Sequence, residues 1–453
     1  MRNTVRLSLL ASVLVLNASA ADDLASMFKE GKASGQIREF SVVREYLGAA
    51  KYTRKANAIG GYLKYETGAW NGLSLGTAFY TTNGFMLDNK ADLTEVDPTL
   101  LGKNNKSYTI LGEAYLQYKN GNTTFKGGRQ KLDNPMMGSD DVRMVPNLFE
   151  AYMLTNTDIK DTTVTVGQVT KFAQGTFGRV YSASPTGALA DAILSATSGY
   201  SMVDSRNQVG QFVDMGTYAI GENTSGVSVA GVTYTGLPGL KLQAWDYYAH
   251  DIMNAVYAEA NYGWSYTSGV SPYVGAQYIS ERDVGSNNAK AAFKLNKIES
   301  DFVAAKAGIK VANFDLSAAI SHNSKDADSA ANGGTISPWG GMPAYTQGMV
   351  TRHQFMAGTD ACKVAGNYDW KNFGVNLNTG VYYTSFDMDS LNGYAAGNEW
   401  TATEAGFDMI YYPESVKNLQ VRFRGNFPRD FKLTTAGAET SWNEYRFILN
   451  YNF

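Results

Sequence analysis

Apolar and polar residues alternate with period two along much of this chain. In residues 108–118 the even positions are Tyr108, Ile110, Gly112, Ala114, Leu116 and Tyr118, while the odd ones include Thr109, Glu113, Tyr115 and Gln117. That pattern predicts a strand with one apolar face and a tyrosine at each end. Phe373, Val375, Leu377, Thr379, Val381 and Tyr383 repeat it against Asn376, Asn378, Gly380, Tyr382 and Thr384. So do Val256, Ala258, Ala260, Tyr262 and Trp264 against Tyr257, Glu259 and Asn261, and Val303 to Val311 against Lys306, Gly308 and Lys310. A strand of about ten residues, tilted by about 45°, crosses a bilayer, and tyrosines at its ends fall where aromatic girdles sit. Glu, Lys, Asn and Gln at mid-strand cannot pack in a dry core without large desolvation costs, so the second face points to a wet interior.

Short turns alternate with long polar connections. The turns fall at residues 68–71, 119–121, 156–160, 237–239, 312–313 and 369–371, and the long connections at about 83–107, 131–147, 172–226, 281–300 and 324–352. Nineteen segments look like strands. Single-chain bacterial barrels use even numbers, and residues 211–220 are set aside because keeping them would make the tight Leu237-Pro238-Gly239 turn an outer loop. The expected fold class is all-β: an 18-stranded antiparallel transmembrane β-barrel with long outer loops and short periplasmic turns. At the C-terminus Tyr445, Phe447, Leu449, Tyr451 and Phe453 alternate strictly to a terminal phenylalanine. This resembles the assembly signal of outer-membrane barrels, which implies the barrel-assembly machinery as a partner through the last strand. Residues 22–34 carry Leu24, Met27 and Phe28 at helical spacing, read as a short closing element.

Composition narrows the function. Residues 1–20 read as a secretory signal peptide: Arg2 and Arg6, an apolar stretch from Leu7 to Leu16, and Ala18-Ser19-Ala20. The mature barrel is expected to occupy 21–453 as one domain. With 39 Lys and Arg against 42 Asp and Glu there is no basic block for nucleic acid. The single cysteine, Cys362, excludes an intramolecular disulfide and a multi-cysteine metal site, and its strand gives no clear facing. His250, His322 and His353 have no metal-site spacing, so neither metal nor cofactor is expected.

Residues 128–151 read GRQKLDNPMMGSDDVRMVPNLFEA. This is similar to the strand, loop and strand of OprD-type porins: a Gly-Arg-Gln strand end, a proline-containing loop, an acidic-to-arginine step, and Pro-x-x-Phe entering the next strand. GKASGQIREF near the start, and LQVRFRG and WNEYRFILNYNF at the end, also resemble that family. The resemblance implies an eighteen-stranded channel in the outer membrane of a Gram-negative bacterium, passing small water-soluble solutes that often carry a carboxylate: amino acids, small organic acids, peptides. It also implies that the loop after Gly-Arg-Gln folds inward as a constriction, flanked by Arg129 and Arg143.

The candidate pore-lining residues follow from strand parity. The penultimate strand points Gln420, Arg422, Arg424 and Asn426 inward, the last Glu444 and Arg446, and the first carries Arg38 and Arg44 on one parity. Five arginines on three neighbouring strands would attract carboxylates in a narrow lumen, the role the family's basic ladder implies. Glu113, Glu259, Glu404 and Asp408 are expected to face them, and Lys306 and Lys310 to extend the ladder. The plainer reading is that Arg422 and Arg424 pair with Glu404 and Asp408 and only brace the wall. Asp140 and Asp141 read as a solvated pair or a divalent-cation site, and Asp88, Asp92, Glu95 and Asp97 as acidic residues of an outer loop.

Two rival functions use the same fold. An adhesin or surface-structural barrel could present the connection at 172–226, and a barrel hydrolase would need a nucleophile beside a base, with no serine motif near His250 or His353. His353 is placed at the start of strand 14. A siderophore transporter needs a plug domain for which the first strand comes too early. Expected partners are outer-membrane lipid and small-molecule solutes, with monomer and trimer both open.

Overall fold

The structure, a computed structural model, describes residues 23–48, 51–85, 95–97, 99–102, 105–176, 210–286, 297–395, 397–433 and 439–453; the expected signal peptide lies outside them. Eighteen antiparallel strands close into one barrel. In chain order they are β1 (Lys32–Leu47), β2 (Tyr52–Glu66), β3 (Leu73–Gly84), β4 (Tyr108–Asn120), β5 (Thr123–Gln130), β6 (Leu148–Asn156), β7 (Thr162–Ala173), β8 (Val227–Tyr234) and β9 (Leu240–Ala249). The second half is β10 (Met253–Gly263), β11 (Val270–Asp283), β12 (Glu299–Val311), β13 (Phe314–Asn323), β14 (Asp360–Asp369), β15 (Leu377–Met388), β16 (Trp400–Tyr411), β17 (Leu419–Arg429) and β18 (Glu439–Asn452).

Closure is made by β1 against β18, with Arg38 opposite Asn450 and Arg44 opposite Glu444. Gly35 and Phe453 exchange both backbone bonds, 2.9 and 3.1 Å, which seals the seam at its periplasmic end. The expected parity of eighteen therefore holds. The segment at 211–220 contributes only Val213–Asp214, paired to β7, and a one-turn-and-a-half helix, Met215–Ile220. At the periplasmic end a helix at Leu24–Lys29 buries Met27 and accepts the Gly68 amide on the Met27 carbonyl.

Large apolar side chains such as Leu63, Val364, Val381 and Phe447 are exposed on the outer wall, as lipid contact requires. Three details differ from the alternation. First, a bulge sits in β4: Ala78 pairs with Glu113 but Phe79 with Leu111, leaving Gly112 extra. A bulge reverses parity, so Leu116 and Tyr118 face outward while Ile110 is buried inside. Second, β15 begins at Leu377, because Trp370–Phe373 forms a 3-10 turn. Third, His353 does not begin strand 14; it lies in a 3-10 turn of the connection before it, fully buried.

Candidate functional site: a basic wall under two infolded loops

The inward faces of β1, β17 and β18 carry the expected arginines side by side. Glu444 is their hub. Its carboxylate accepts from Arg44 Nε at 2.9 Å, from Arg446 Nε at 2.6 Å and from Arg143 Nη2 at 3.2 Å. Arg44 also reaches Asp97 at 3.2 Å. Arg38 pairs with Asp141 at 2.6 Å and donates to Asn450 at 2.8 Å. Arg422 grips Asp408 with both nitrogens, and Arg424 reaches the same carboxylate at 3.3 Å. Arg446 and Arg143 are almost fully enclosed, whereas the Arg422 side chain keeps 27% of its surface exposed.

The connection at 131–147 enters the barrel. Asp141 and Arg143 touch β1 and β18, while the Met136 amide donates to Tyr247 of β9 at 3.3 Å, so the loop spans the lumen between nearly opposite walls. Asp133 and Asn134 pair with Gly138 and Met137 in a two-rung hairpin at its tip. Asp140 is half-buried and docked on the second infolded connection, not a freely solvated outer-loop residue. It accepts the Gly341 amide at 3.2 Å, and burial pushes its pKa up to about 6.

A second connection, 324–359, folds in as well, and the alternation pattern did not predict it. Trp339, Met342, Ile336 and Phe355 are buried with Met136, Met137 and Tyr247 in one apolar cluster. The Met342 amide bonds the Pro135 carbonyl at 2.6 Å, joining the two loops. Buried carboxylates pin its backbone: Glu281 accepts the Ile336 amide at 2.8 Å, and Glu404 accepts those of Met349 at 2.7 Å, Val350 at 3.3 Å and Thr351 at 2.8 Å. Lys363 adds a bond to the Gln347 carbonyl at 2.7 Å. The legible signal was apolar Trp339, Met342 and Pro343 in what should have been a polar outer loop.

A sequence model of the family described as "outer membrane porin, OprD family" matches residues 26–182 and 189–453. The chain belongs to the OprD family of outer-membrane porins. Among solved structures, Pseudomonas aeruginosa OccK9 (OpdG) superposes with a TM-score of 0.72 at 19% identity, covering 94% of this chain and 99% of that one. Pseudomonas aeruginosa OpdK with vanillate gives 0.69 at 14% identity over 94% and 99%. Acinetobacter baumannii OccAB1 gives 0.70 at 15% identity over 96% and 99%. No curated protein matches the sequence. The porin thus sits in the outer membrane of a Gram-negative bacterium and forms a channel.

The remaining candidates divide. Glu259 faces the lumen of the porin from β10, opposite β1, and accepts only neutral donors: Gln243 at 2.9 Å, Asn261 at 2.7 Å, and Gln277 and Tyr257 at 2.9 Å. Lys306 lies near it, over the Tyr345 ring at 4.1 Å, and Lys310 pairs with Asp315 at 3.7 Å. Glu113 is inward but accepts from Tyr80 at 2.7 Å and Lys64 at 3.4 Å, away from the arginines. Glu404 does not oppose them either; it holds the second loop. Asp97, expected in an outer loop, is buried against Arg44; Asp88 and Asp92 lie outside the described residues. Arg129 is the clearest correction. It shares the face of Phe125 and Gly127 and pairs across to Glu150, whose neighbours Tyr152 and Leu154 are exposed on the outer wall, so strand parity turns Arg129 away from the lumen. Cys362 is exposed on the outer face beside Val364. Ser228 lies 2.9 Å from His250 Nε2, but its hydroxyl donates to Gln168 at 2.7 Å, so it is not poised as a nucleophile.

Proposed function

We propose that this porin conducts small water-soluble solutes with a preference for those bearing a carboxylate, and that Arg38, Arg44, Arg143, Arg422, Arg424 and Arg446 supply the preference. The observation that carries this is an excess of guanidinium. Among the described residues, Arg44, Arg422, Arg424 and Arg446 share Asp97, Asp408 and Glu444, and Arg143 is a further guanidinium on Glu444. Among the described residues, Arg44 Nη2, Arg424 Nε and Arg446 Nη2 are enclosed without a hydrogen-bond partner. Guanidinium charge not fully matched by carboxylates leaves a positive field at this wall of the lumen that draws an anionic solute, and a carboxylate fits an exposed guanidinium such as that of Arg422 in two-point geometry. Glu259 on the opposite wall, matched only by neutral donors, adds a field across the pore that orients an anionic solute toward β1, β17 and β18. Vanillate, the solute in the OpdK structure, is itself a carboxylate.

Wall bracing remains the competing role for each arginine, and liposome uptake separates the two. Replacing Arg422 and Arg424 with Gln is expected to lower flux of small carboxylates by about tenfold, the loss of roughly 1.4 kcal/mol of interaction, while sparing neutral solutes of equal size. Equal losses for both solutes, or no loss, would assign these arginines to bracing.

A further inference from the structure

The outward positions of β1 and β2 include Ile37, Ile59 and Leu63, all exposed, and Phe453 extends this face beside Gly35. Tyr65 has the parity of Leu63, so its ring belongs to the same lipid-facing wall. It stands one residue from the end of β2, at the periplasmic rim, where an aromatic girdle sits. The Tyr65 hydroxyl donates to the Phe28 carbonyl. That bond draws the helix at Leu24–Lys29 to the lipid side of the rim and away from the lumen. Gly31 permits the approach, because a Cβ there would collide with the Tyr65 hydroxyl.

The helix is short but held at both ends. Asp23 caps its start by accepting the Ser26 amide at 2.7 Å, and the Glu30 amide closes on the Ser26 carbonyl at 2.8 Å. The Gly68 amide, in the turn after β2, fixes the Met27 carbonyl at 2.8 Å. At the helical repeat, Met27, Leu24 and Phe28 fall within one arc of about 100°. Met27 is 1% exposed, yet Leu24 and Phe28 on the same arc remain 55% and 49% exposed. The barrel therefore covers one member of this apolar stripe and leaves two. Those two continue, past the Tyr65 bond, the wall of Leu63 and Phe453, so the medium that covers the wall reaches them as well. Charge does not choose their partner: Asp23, Lys29, Glu30 and Lys32 are two of each sign. A helix with an uncovered apolar face beside lipid lies in the membrane interface, sunk to the boundary of headgroups and acyl chains.

We propose that the Leu24–Lys29 helix is an interfacial anchor, its Leu24 and Phe28 side chains seated in phospholipid of the periplasmic leaflet, continuous with the lipid-facing wall of β1 and β2. This goes beyond channel function and does not rest on the carboxylate preference. The test uses the whole barrel in phosphatidylcholine nanodiscs, which leave both membrane faces open to reagents, with Cys362→Ser as background. Spin labels are placed singly on Leu24→Cys, Phe28→Cys, Leu63→Cys as the lipid reference and Lys29→Cys as the water reference on the same helix. Heat-shifted mobility on gels confirms that each barrel is folded. Labels at 24 and 28 are expected to collide with oxygen and to be shielded from a water-soluble nickel chelate, as at 63, while the label at 29 meets the nickel. Adding Leu24→Glu to the chain labelled at 28 is expected to restore nickel collisions there, since a carboxylate resists the acyl layer. Replacing part of the lipid with phosphatidylglycerol, or adding salt, is expected to change nothing. Nickel access at 24 and 28 equal to that at 29 overturns the proposal, leaving the helix in water. Labels at 24 and 28 shielded from both reagents overturn it too, since protein and not lipid then covers them. Shielding that appears only with phosphatidylglycerol also overturns it, assigning the contact to Lys29 and Lys32 on anionic headgroups.

Discussion

Glu404 anchors the 349–351 stretch of the second infolded loop to the barrel wall. Its two oxygens collect the amides of Met349, Val350 and Thr351 and the Tyr382 hydroxyl. Successive amides converging on one anion form a nest. Gly348 makes the close approach feasible, since a Cβ there would lie 2.6 Å from Glu404 Oε2. Glu404→Ala removes the acceptor and leaves three enclosed amides to be met by water alone. Each buried donor without a partner costs about 1–3 kcal/mol, so the docked loop loses at least about 3 kcal/mol, a shift of more than a hundredfold toward undocked forms. The apolar contacts of Trp339, Met342 and Phe355 oppose release, so the loop is expected to open intermittently near 347–352 and not to leave entirely. In planar bilayers Glu404→Ala should raise mean single-channel conductance and add open-channel noise. Glu404→Gln, which keeps one acceptor, should fall between. A folded Glu404→Ala barrel with conductance and noise identical to wild type would refute the idea that this carboxylate holds the loop.

The other expectations are smaller in scope. Deleting residues 136–138 at the tip of the first loop removes the hairpin that contacts β9 and is expected to raise conductance; an unchanged value in a folded deletion would place the constriction elsewhere. His353 in the second loop is enclosed, its Nε2 bonded to the Phe431 carbonyl, and burial pushes its pKa down to about 4. Because the folded value lies below the unfolded one of about 6.5, its contribution is complete above that value and is lost as pH falls toward 4; by pH 5 the loss is about 2 kcal/mol. Amide exchange at Phe355 and Met356, corrected for intrinsic rate, should therefore rise on moving from pH 7 to pH 5, and His353→Gln should abolish the dependence. Removing Phe453 deletes both backbone bonds to Gly35, so the amount of heat-modifiable barrel recovered from outer membranes should drop; full recovery would show the seam does not depend on that residue.

What the sequence made legible, and what it hid, follows from the range of the forces involved. Strands crossing lipid must alternate, and a closed antiparallel barrel must come out even, so both strand number and the inward arginines could be read locally. Register and tertiary docking could not. Glu404 and Asp408 share one inward face of β16 and look equivalent in sequence. Register places Asp408 opposite Arg424, whereas Glu404 lies opposite Pro428, four residues nearer the outer end and level with the descending loop. The same residue type therefore braces an arginine in one place and caps a loop in the other. Arg129 and Arg143 flank one loop, yet strand parity sends Arg129 to the outer wall while the loop carries Arg143 to Glu444. The basic wall is thus assembled from strand residues that alternation could locate and loop residues it could not. The loop residues Asp97, Asp141 and Arg143 neutralise or extend it, so that the net charge a solute meets is set by how the loops dock, not by the strands alone.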